Sequence, residues 1–307
     1  MTQQTFLSHV PAFRECGDYT WQSLQGILAT TQADLLSDLG ARAASPAGIA
    51  PPAGIDDALL SRAVALEAAR RAIPQLNLIL DANGFAVVSN QNLSPASRER
   101  TAALRHQLRH EASDARDRLH DHLLAHGLIP QPHTLLPHAT LARRYGITLG
   151  AQAASLGARA ASPASGAASP ASAASPLCHD EYTILQPHLA AAEHRLAHLI
   201  SPAQHRALLA FAYPSPEAQA ADTAAALSHL LHLSRQYLAA DIRAQLAPST
   251  DTVPHATERT AARSLKELLL AERDNPAYTP YRNSPTYRAD TATPYRNQAH
   301  DPTYFFA

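Results

Sequence analysis

The run Ala151–Pro176, AQAASLGARAASPASGAASPASAASP, decides how the rest of the chain is read. It contains no aromatic residue and almost nothing aliphatic larger than alanine, so it cannot bury enough apolar surface to offset the entropy of ordering it. Its prolines oppose a long helix and its Ala and Ser supply no core, so the run reads as a partly extended linker between two units. A shorter relative, LGARAASPAGIAPPAG, runs from Leu39 to Gly54 and reads as a loop inside the first unit.

Outside these runs the chain looks globular and helical. Of 307 residues, 46% are hydrophobic and 17% charged, which suits two ordinary domains; much of the apolar share is alanine, with 6% aromatic residues. That balance favours helices packed closely on small side chains over a β-sandwich. The formal net charge of -1 gives no general attraction to nucleic acid or to an anionic membrane. Of the 25 basic residues only Lys266 is lysine, and 17 histidines accompany them, so a compositional bias acts on the whole sequence. The two cysteines, Cys16 and Cys178, flank the linker and have no metal-ligand spacing; they read as free thiols, with pairing across the units as the alternative. The opening segment has no basic region followed by an apolar one, and no window approaches about 18 uninterrupted apolar residues. A cytoplasmic protein, or a particle assembled in the cytoplasm, is expected.

In the first unit, Trp21, Leu24, Leu28, Thr31, Leu35 and Leu39 recur at helical spacing, with Gly40 placed to end the helix. Asp56 or Asp57 caps a second helix whose face runs Leu59, Ala63, Leu66 and Ile73 before Pro74 stops it. Leu76–Leu80 and Phe85–Ser89 flank Asn83-Gly84 and predict a β-hairpin. Ser94-Pro95 opens a long helix with Leu104, Leu108, Ala115, Leu119 and Leu123 as its buried stripe, and the prolines from Gly127 to Gly150 predict an irregular tail.

The second unit repeats the first stripe as Tyr182, Leu185, Leu189, Ala192, Leu196 and Ile200, at constant offset. Pro95-x-x-x-Glu99-Arg-Thr-Ala-Ala103 recurs as Pro254-x-x-x-Glu258-Arg-Thr-Ala-Ala262, which argues for an internal duplication. Helices are predicted from Glu217 to Leu246 and from Thr257 to Arg273. Beyond them, TPYRN occurs at Thr279 and again at Thr293, and five of the ten tyrosines gather in a proline-broken tail. The expected class is therefore mainly α: a helical unit with a β-hairpin at 1–150, a linker at 151–176, a related helical unit at 177–275 and an extended Tyr/Pro-rich arm at 276–307.

Three stretches, SHVPAFRECGDYTW, IPQLNLILDANGFAVVSNQNLSPASRER and the terminal PTYFF, resemble an uncharacterised family of phage and prophage proteins from gut Bacteroidales. The likeness covers the first unit and the tail, and the two Ala/Pro runs look like insertions peculiar to this chain. The resemblance implies a virion-associated, non-enzymatic protein, and a helical unit of this size is similar in kind to head-tail connector or neck proteins. It implies other virion proteins, or copies of the chain itself, as partners. The alternative from another class is a prophage-encoded nucleic-acid-associated protein.

Candidate chemistry is sparse. His106 and His110, His122 and His126, and His194 and His198 each stand four apart on a predicted helix, a spacing that can put two imidazoles on one ion. No carboxylate completes a recognised motif, so no metal, cofactor or catalytic residue is assigned. The arginines from Arg98 to Arg118 are interleaved with Glu99, Glu111, Asp114 and Asp117, which predicts ion pairing within the helix. Cys16 lacks a His/Asn context, and the linker serines lack GxSxG. The tail is the assigned interface, with Tyr278, Tyr281, Arg282, Tyr287, Tyr295, Arg296, Tyr304, Phe305 and Phe306 as residue types that dominate protein contacts; the alternative is that the arm folds back over its own second unit.

Overall fold

A computed structural model of the chain describes residues 1–13, 18–40, 54–76, 79–81, 84–86, 98–149, 177–213, 221–247 and 251–292. The linker and the Leu39–Gly54 loop beyond Gly40 therefore lie outside the described residues up to residue 53, as do Asn83, Ser94, Pro95 and the tail from residue 293. The described fold is mainly helical. Its elements are α1 (Gln3–His9), α2 (Asp18–Asp38), α3 (Asp57–Leu76), β1 (Ile79–Asp81), β2 (Gly84–Ala86), α4 (Arg98–Ala125) and α5 (Ala139–Arg144). They continue as α6 (His179–Ile200), α7 (Pro202–Ala212), α8 (Ala221–Leu246), α9 (Val253–Ala271), α10 (Thr279–Arg282) and α11 (Pro285–Thr291).

The first core forms around α3, which touches α1, α2 and α4. Its inner face is built largely of alanine, with Ala63, Ala65, Ala68, Ala69 and Ala72 all buried. Alanine loses no side-chain entropy in a helix and lets neighbouring backbones approach closely. Leu24, Leu28, Thr31 and Leu35 of α2 and Leu108, Ala115, Leu119 and Leu123 of α4 close on that face. The Asp56 carboxylate accepts the Ala58 N–H at 2.8 Å and starts α3. The helix runs one turn past the expected stop, because Pro74 falls inside its last turn. Among the described residues strand pairing is a three-residue antiparallel ladder, Ile79 opposite Ala86, Leu80 opposite Phe85 and Asp81 opposite Gly84. Leu76, read as the start of the first arm, belongs to α3, and residues 77–78 and 87–89 of the expected arms lie outside the described residues.

The second core forms around α6 and α8. All six stripe residues of α6, from Tyr182 to Ile200, are buried, together with Leu230, Leu238 and Ile242 of α8 and Leu265 and Leu269 of α9. Helix α7 was not legible as a separate element. It begins at Ser201, whose φ of 78° and ψ of 145° turn the chain sharply after α6, and whose Oγ accepts the Gln204 N–H at 3.2 Å.

Two expected boundaries are corrected. Residues expected to trail irregularly from the first unit, Leu135, Leu136, Ala139, Ala142 and Ile147, are buried in the second core. They include α5, which ends in a Schellman turn: Gly146 at φ 74° lets the Ile147 N–H reach the Ala142 carbonyl at 3.2 Å and swings Ile147 inward. The described part of the expected extended arm is also folded. Pro276, Pro280 and Pro285 each occupy the first turn of a short helical segment, where a missing N–H costs nothing. Prolines that forbid one long helix thus permit three short ones.

Candidate functional site

The interface residues assigned from the sequence divide by position. Tyr278 and Tyr281 are fully buried in the second core and cannot serve as docking anchors, which corrects that assignment. The Tyr278 hydroxyl donates to the Ala226 carbonyl at 3.2 Å, and the Tyr281 hydroxyl donates to Asp290 Oδ2 at 2.8 Å. Buried Gln204 clamps the same turn, donating through Nε2 to the Ala277 carbonyl and accepting the Tyr281 N–H through Oε1. Tyr287 packs edge-on against Tyr281 at 5.6 Å, and Arg282 lies 3.8 Å from Asp274. Lys266 Nζ pairs with Asp290 at 2.6 Å, so α11 is held to α9. Tyr295, Arg296, Tyr304, Phe305 and Phe306 lie outside the described residues.

The chemically densest region is a polar seam where α4, the segment 134–138 and α5 meet the second core. The Glu193 carboxylate of α6, buried among apolar residues, accepts from Leu135 N–H at 2.6 Å, Thr134 Oγ1 at 2.7 Å and His205 Nε2 at 2.7 Å. The Tyr182 hydroxyl donates to the Leu136 carbonyl at 2.6 Å. One turn further, His138 caps α5, its Nδ1 lying 3.3 Å from the Leu141 N–H and 3.4 Å from Asp117 Oδ2. Its Nε2 lies 3.0 Å from Asp121 Oδ1. Asp117, also buried, accepts the Thr140 N–H at 2.7 Å.

His120 completes this group from α4. Its Nδ1 is 3.9 Å from Asp121 Oδ1, and this nitrogen is buried with no hydrogen-bond partner. Burial opposes a charge on His138, but the hydrogen bonds of Asp117 and Asp121 outweigh it and raise its pKa to about 9. Burial likewise opposes ionisation of Asp117 and Asp121, and the imidazoles against them bring both below the usual carboxylate range. One nitrogen each from His120 and His138 and one oxygen from Asp121 all lie within 4.8 Å of one another. No spacing rule announces this group: His120 and Asp121 are neighbours on a helix, and His138 arrives through a proline-rich segment read as irregular.

The histidine pairs singled out by spacing behave differently. His106 and His110 bring their Nε2 atoms to 3.2 Å, and His194 and His198 to 3.3 Å. His122 Nε2 instead receives the Asp56 N–H at 3.3 Å, near the start of α3, and His126 Nδ1 contacts the His122 carbonyl. Three charged residues of α4, expected to pair within the helix, pair across elements. Arg109 meets Asp180 at 3.2 Å and Glu181 at 3.6 Å in the first turn of α6, Arg116 meets Asp38 at 3.4 Å, and Asp114 meets Arg143 of α5 at 2.9 Å. The Arg109 contacts, with Arg70 on Asp180 at 3.3 Å and Ser113 Oγ accepting the His179 N–H at 2.9 Å, fasten α6 to the first bundle. Cys178 just before α6 is free and buried, and burial pushes its thiol pKa up.

A groove of about 1170 Å³ opens between α5, α8 and α9. Arg144, Arg235, Arg243 and Arg259 line it with His232 and Tyr145, and no carboxylate stands among its lining residues. Nε of Arg235 donates to the Leu135 carbonyl, that of Arg243 to the Ala239 carbonyl and that of Arg259 to the His255 carbonyl. None of the described helices is long and apolar enough to cross a membrane.

The profile of a family of unknown function, DUF6712, matches residues 57–133. This stretch spans α3 and α4 and includes His120 and Asp121, whereas His138 falls beyond it. No curated protein and no solved structure matches the chain.

Proposed function

We propose that the chain is a non-enzymatic structural subunit of a phage or prophage particle, of the head-tail connector or neck type, acting in the cytoplasm where the particle assembles. Its partners in this reading are other virion proteins or further copies of itself. The resemblance of SHVPAFRECGDYTW, the IPQLNLILDANGF block and PTYFF to virion-associated proteins supplies the class. The observation that carries the reading is the burial of Tyr278 and Tyr281, which holds the first TPYRN element on the second bundle. An aromatic segment issuing from a fixed root loses less freedom on docking than one issuing from a loose end.

The same reading treats the two bundles as diverged copies. Their matched stripes support it, as does a shared plan in which a long helix, α3 or α8, lies against two partners, α2 with α4 or α6 with α9. Truncation after residue 292 tests the role. The helical content by circular dichroism is expected to stay unchanged while oligomeric mass by light scattering, or recovery in purified particles, falls. Full retention of both overturns the docking role of the tail.

The arginine groove favours a second reading, a prophage-encoded nucleic-acid-associated protein. Four guanidiniums without a lining carboxylate suit a phosphate backbone, although the chain as a whole carries a net charge of -1. Fluorescence anisotropy with a duplex at low and moderate salt separates the two: salt-sensitive binding lost in Arg235→Ala/Arg259→Ala supports this reading, and no binding at low salt removes it.

A further inference from the structure

We propose that His120, Asp121 and His138 form a binding site for one divalent transition-metal ion of the zinc type, with Asp117 behind His138 and a fourth position open to solvent.

The donor set is the first reason. Two imidazoles and one carboxylate are the ligand types of three-residue zinc sites that keep one position open. Zinc bonds of about 2.0–2.1 Å place tetrahedral donors roughly 3.3 Å apart. Two of the three separations, 3.0 Å from Asp121 Oδ1 to His138 Nε2 and 3.9 Å from Asp121 Oδ1 to His120 Nδ1, bracket that value, and all three donors lie within 4.8 Å of one another. Modest side-chain rotations bring all three onto one ion. A set with two nitrogens also suits zinc, cobalt or nickel better than calcium or magnesium, which take oxygen.

The surroundings are the second reason. The His120 nitrogen is buried without a hydrogen-bond partner, an arrangement that costs stability unless something accepts its lone pair or its proton. Asp117 lies 3.4 Å from His138 Nδ1 and is held by the Thr140 N–H. Nδ1 accepts the Leu141 N–H in this structure, so metal binding requires the hydrogen to sit on Nδ1 instead, where Asp117 can accept it and free the Nε2 lone pair, as in carboxylate–histidine–metal triads. The ion takes the place of the proton that Nε2 shares with Asp121. His138 Nδ1 then gives up the Leu141 N–H, but the Asp117 contact with Thr140 keeps the start of α5 capped. Asp121, more than half exposed, opens the site to water.

The histidine pairs four apart do not compete. Each offers two nitrogens, and among the described residues the group of three metal-ligating side chains is His120, Asp121 and His138. The bound ion would clip α4 of the first bundle to the segment that feeds the second.

The test uses the full chain, stripped with chelator, and titration with zinc chloride followed by calorimetry, with cobalt chloride as a spectroscopic probe. In a background of His106→Gln, His126→Gln and His198→Gln, which breaks the three helical pairs, one zinc per chain and a tetrahedral cobalt spectrum are expected. His120→Gln and Asp121→Asn should each weaken zinc by roughly tenfold to a hundredfold. Because His138→Gln also alters the cap of α5, its loss of binding counts only if its helical circular dichroism is unchanged, and the first two variants decide without it. Absence of zinc binding in the background variant, or equal affinity in His120→Gln and Asp121→Asn, overturns the site and leaves His138 as an ion-paired structural histidine.

Discussion

The Glu193 carboxylate accepts the backbone N–H of Leu135 at 2.6 Å inside the second core, and so ties the end of the first bundle's chain to a helix that follows the linker. Thr134 donates to the same oxygen and His205 Nε2 lies against the other, so both oxygens of the buried acid are hydrogen-bonded. Glu193→Ala leaves the Leu135 N–H and His205 without their acceptor. Removing one member of a buried charged network costs about 3–5 kcal/mol. Urea denaturation should register a loss of that order, and a change under about 1 kcal/mol would mean that water replaces the carboxylate.

The same contact moves the useful cut site. A fragment beginning at Leu177 lacks Leu135, Leu136, Ala139, Ala142 and Ile147, all buried in the second core. A fragment beginning at His133 keeps them. The longer fragment is expected to unfold cooperatively and to melt well above the shorter one by circular dichroism. Equal melting would return residues 133–149 to the first unit.

Tyr281 separates a strap from a docking surface. Tyr281→Phe removes only the hydroxyl contact with Asp290 and should cost about 1 kcal/mol. Tyr281→Ala empties a fully buried site and should cost about 3–5 kcal/mol. An alanine variant of wild-type stability that fails to assemble would restore Tyr281 to the interface.

Ser201 offers a stabilising change. Its φ of 78° with ψ of 145° is a region that only glycine occupies freely, at a strain of about 1–3 kcal/mol for other residues. Ser201→Gly removes the strain, while replacing a serine N-cap by glycine costs only a few tenths of a kcal/mol. A rise in melting temperature is expected, and a fall would show that the Oγ contact with Gln204 outweighs the strain.

Glu67 sets an acid-side dependence. Its burial favours the neutral acid, but the hydrogen bonds from Arg70 and Arg71 overcome that and lower its pKa from 4.5. The unfolded chain therefore binds more protons at this group at mildly acid pH. Its contribution is fully present above the unfolded value and is lost as pH falls through the lower folded one. The stability gap between wild type and Glu67→Gln should be constant near neutrality and shrink between about pH 5 and pH 3. A gap independent of pH would assign the effect to packing.

What the sequence by itself determined is local. Stripes three and four residues apart require one face of each helix to be covered, and the residues of the Tyr182–Ile200 stripe are all buried. A mainly helical chain and the cores of α2, α3, α4 and α6 follow from that periodicity alone. Partner choice does not, because a stripe says that a face is covered and never by what. Only the tertiary structure decided that residues 134–149 cross to the second core, that three proline-started turns bury Tyr278 and Tyr281, and that Arg109 pairs with Asp180 rather than within its own helix. His120, Asp121 and His138 illustrate the limit most directly. The 16 residues between Asp121 and His138 carry no repeating pattern, and the Glu193 contact that fixes Leu135 helps to place the segment that carries His138. That contact joins residues on either side of positions 151–176, which no local spacing encodes.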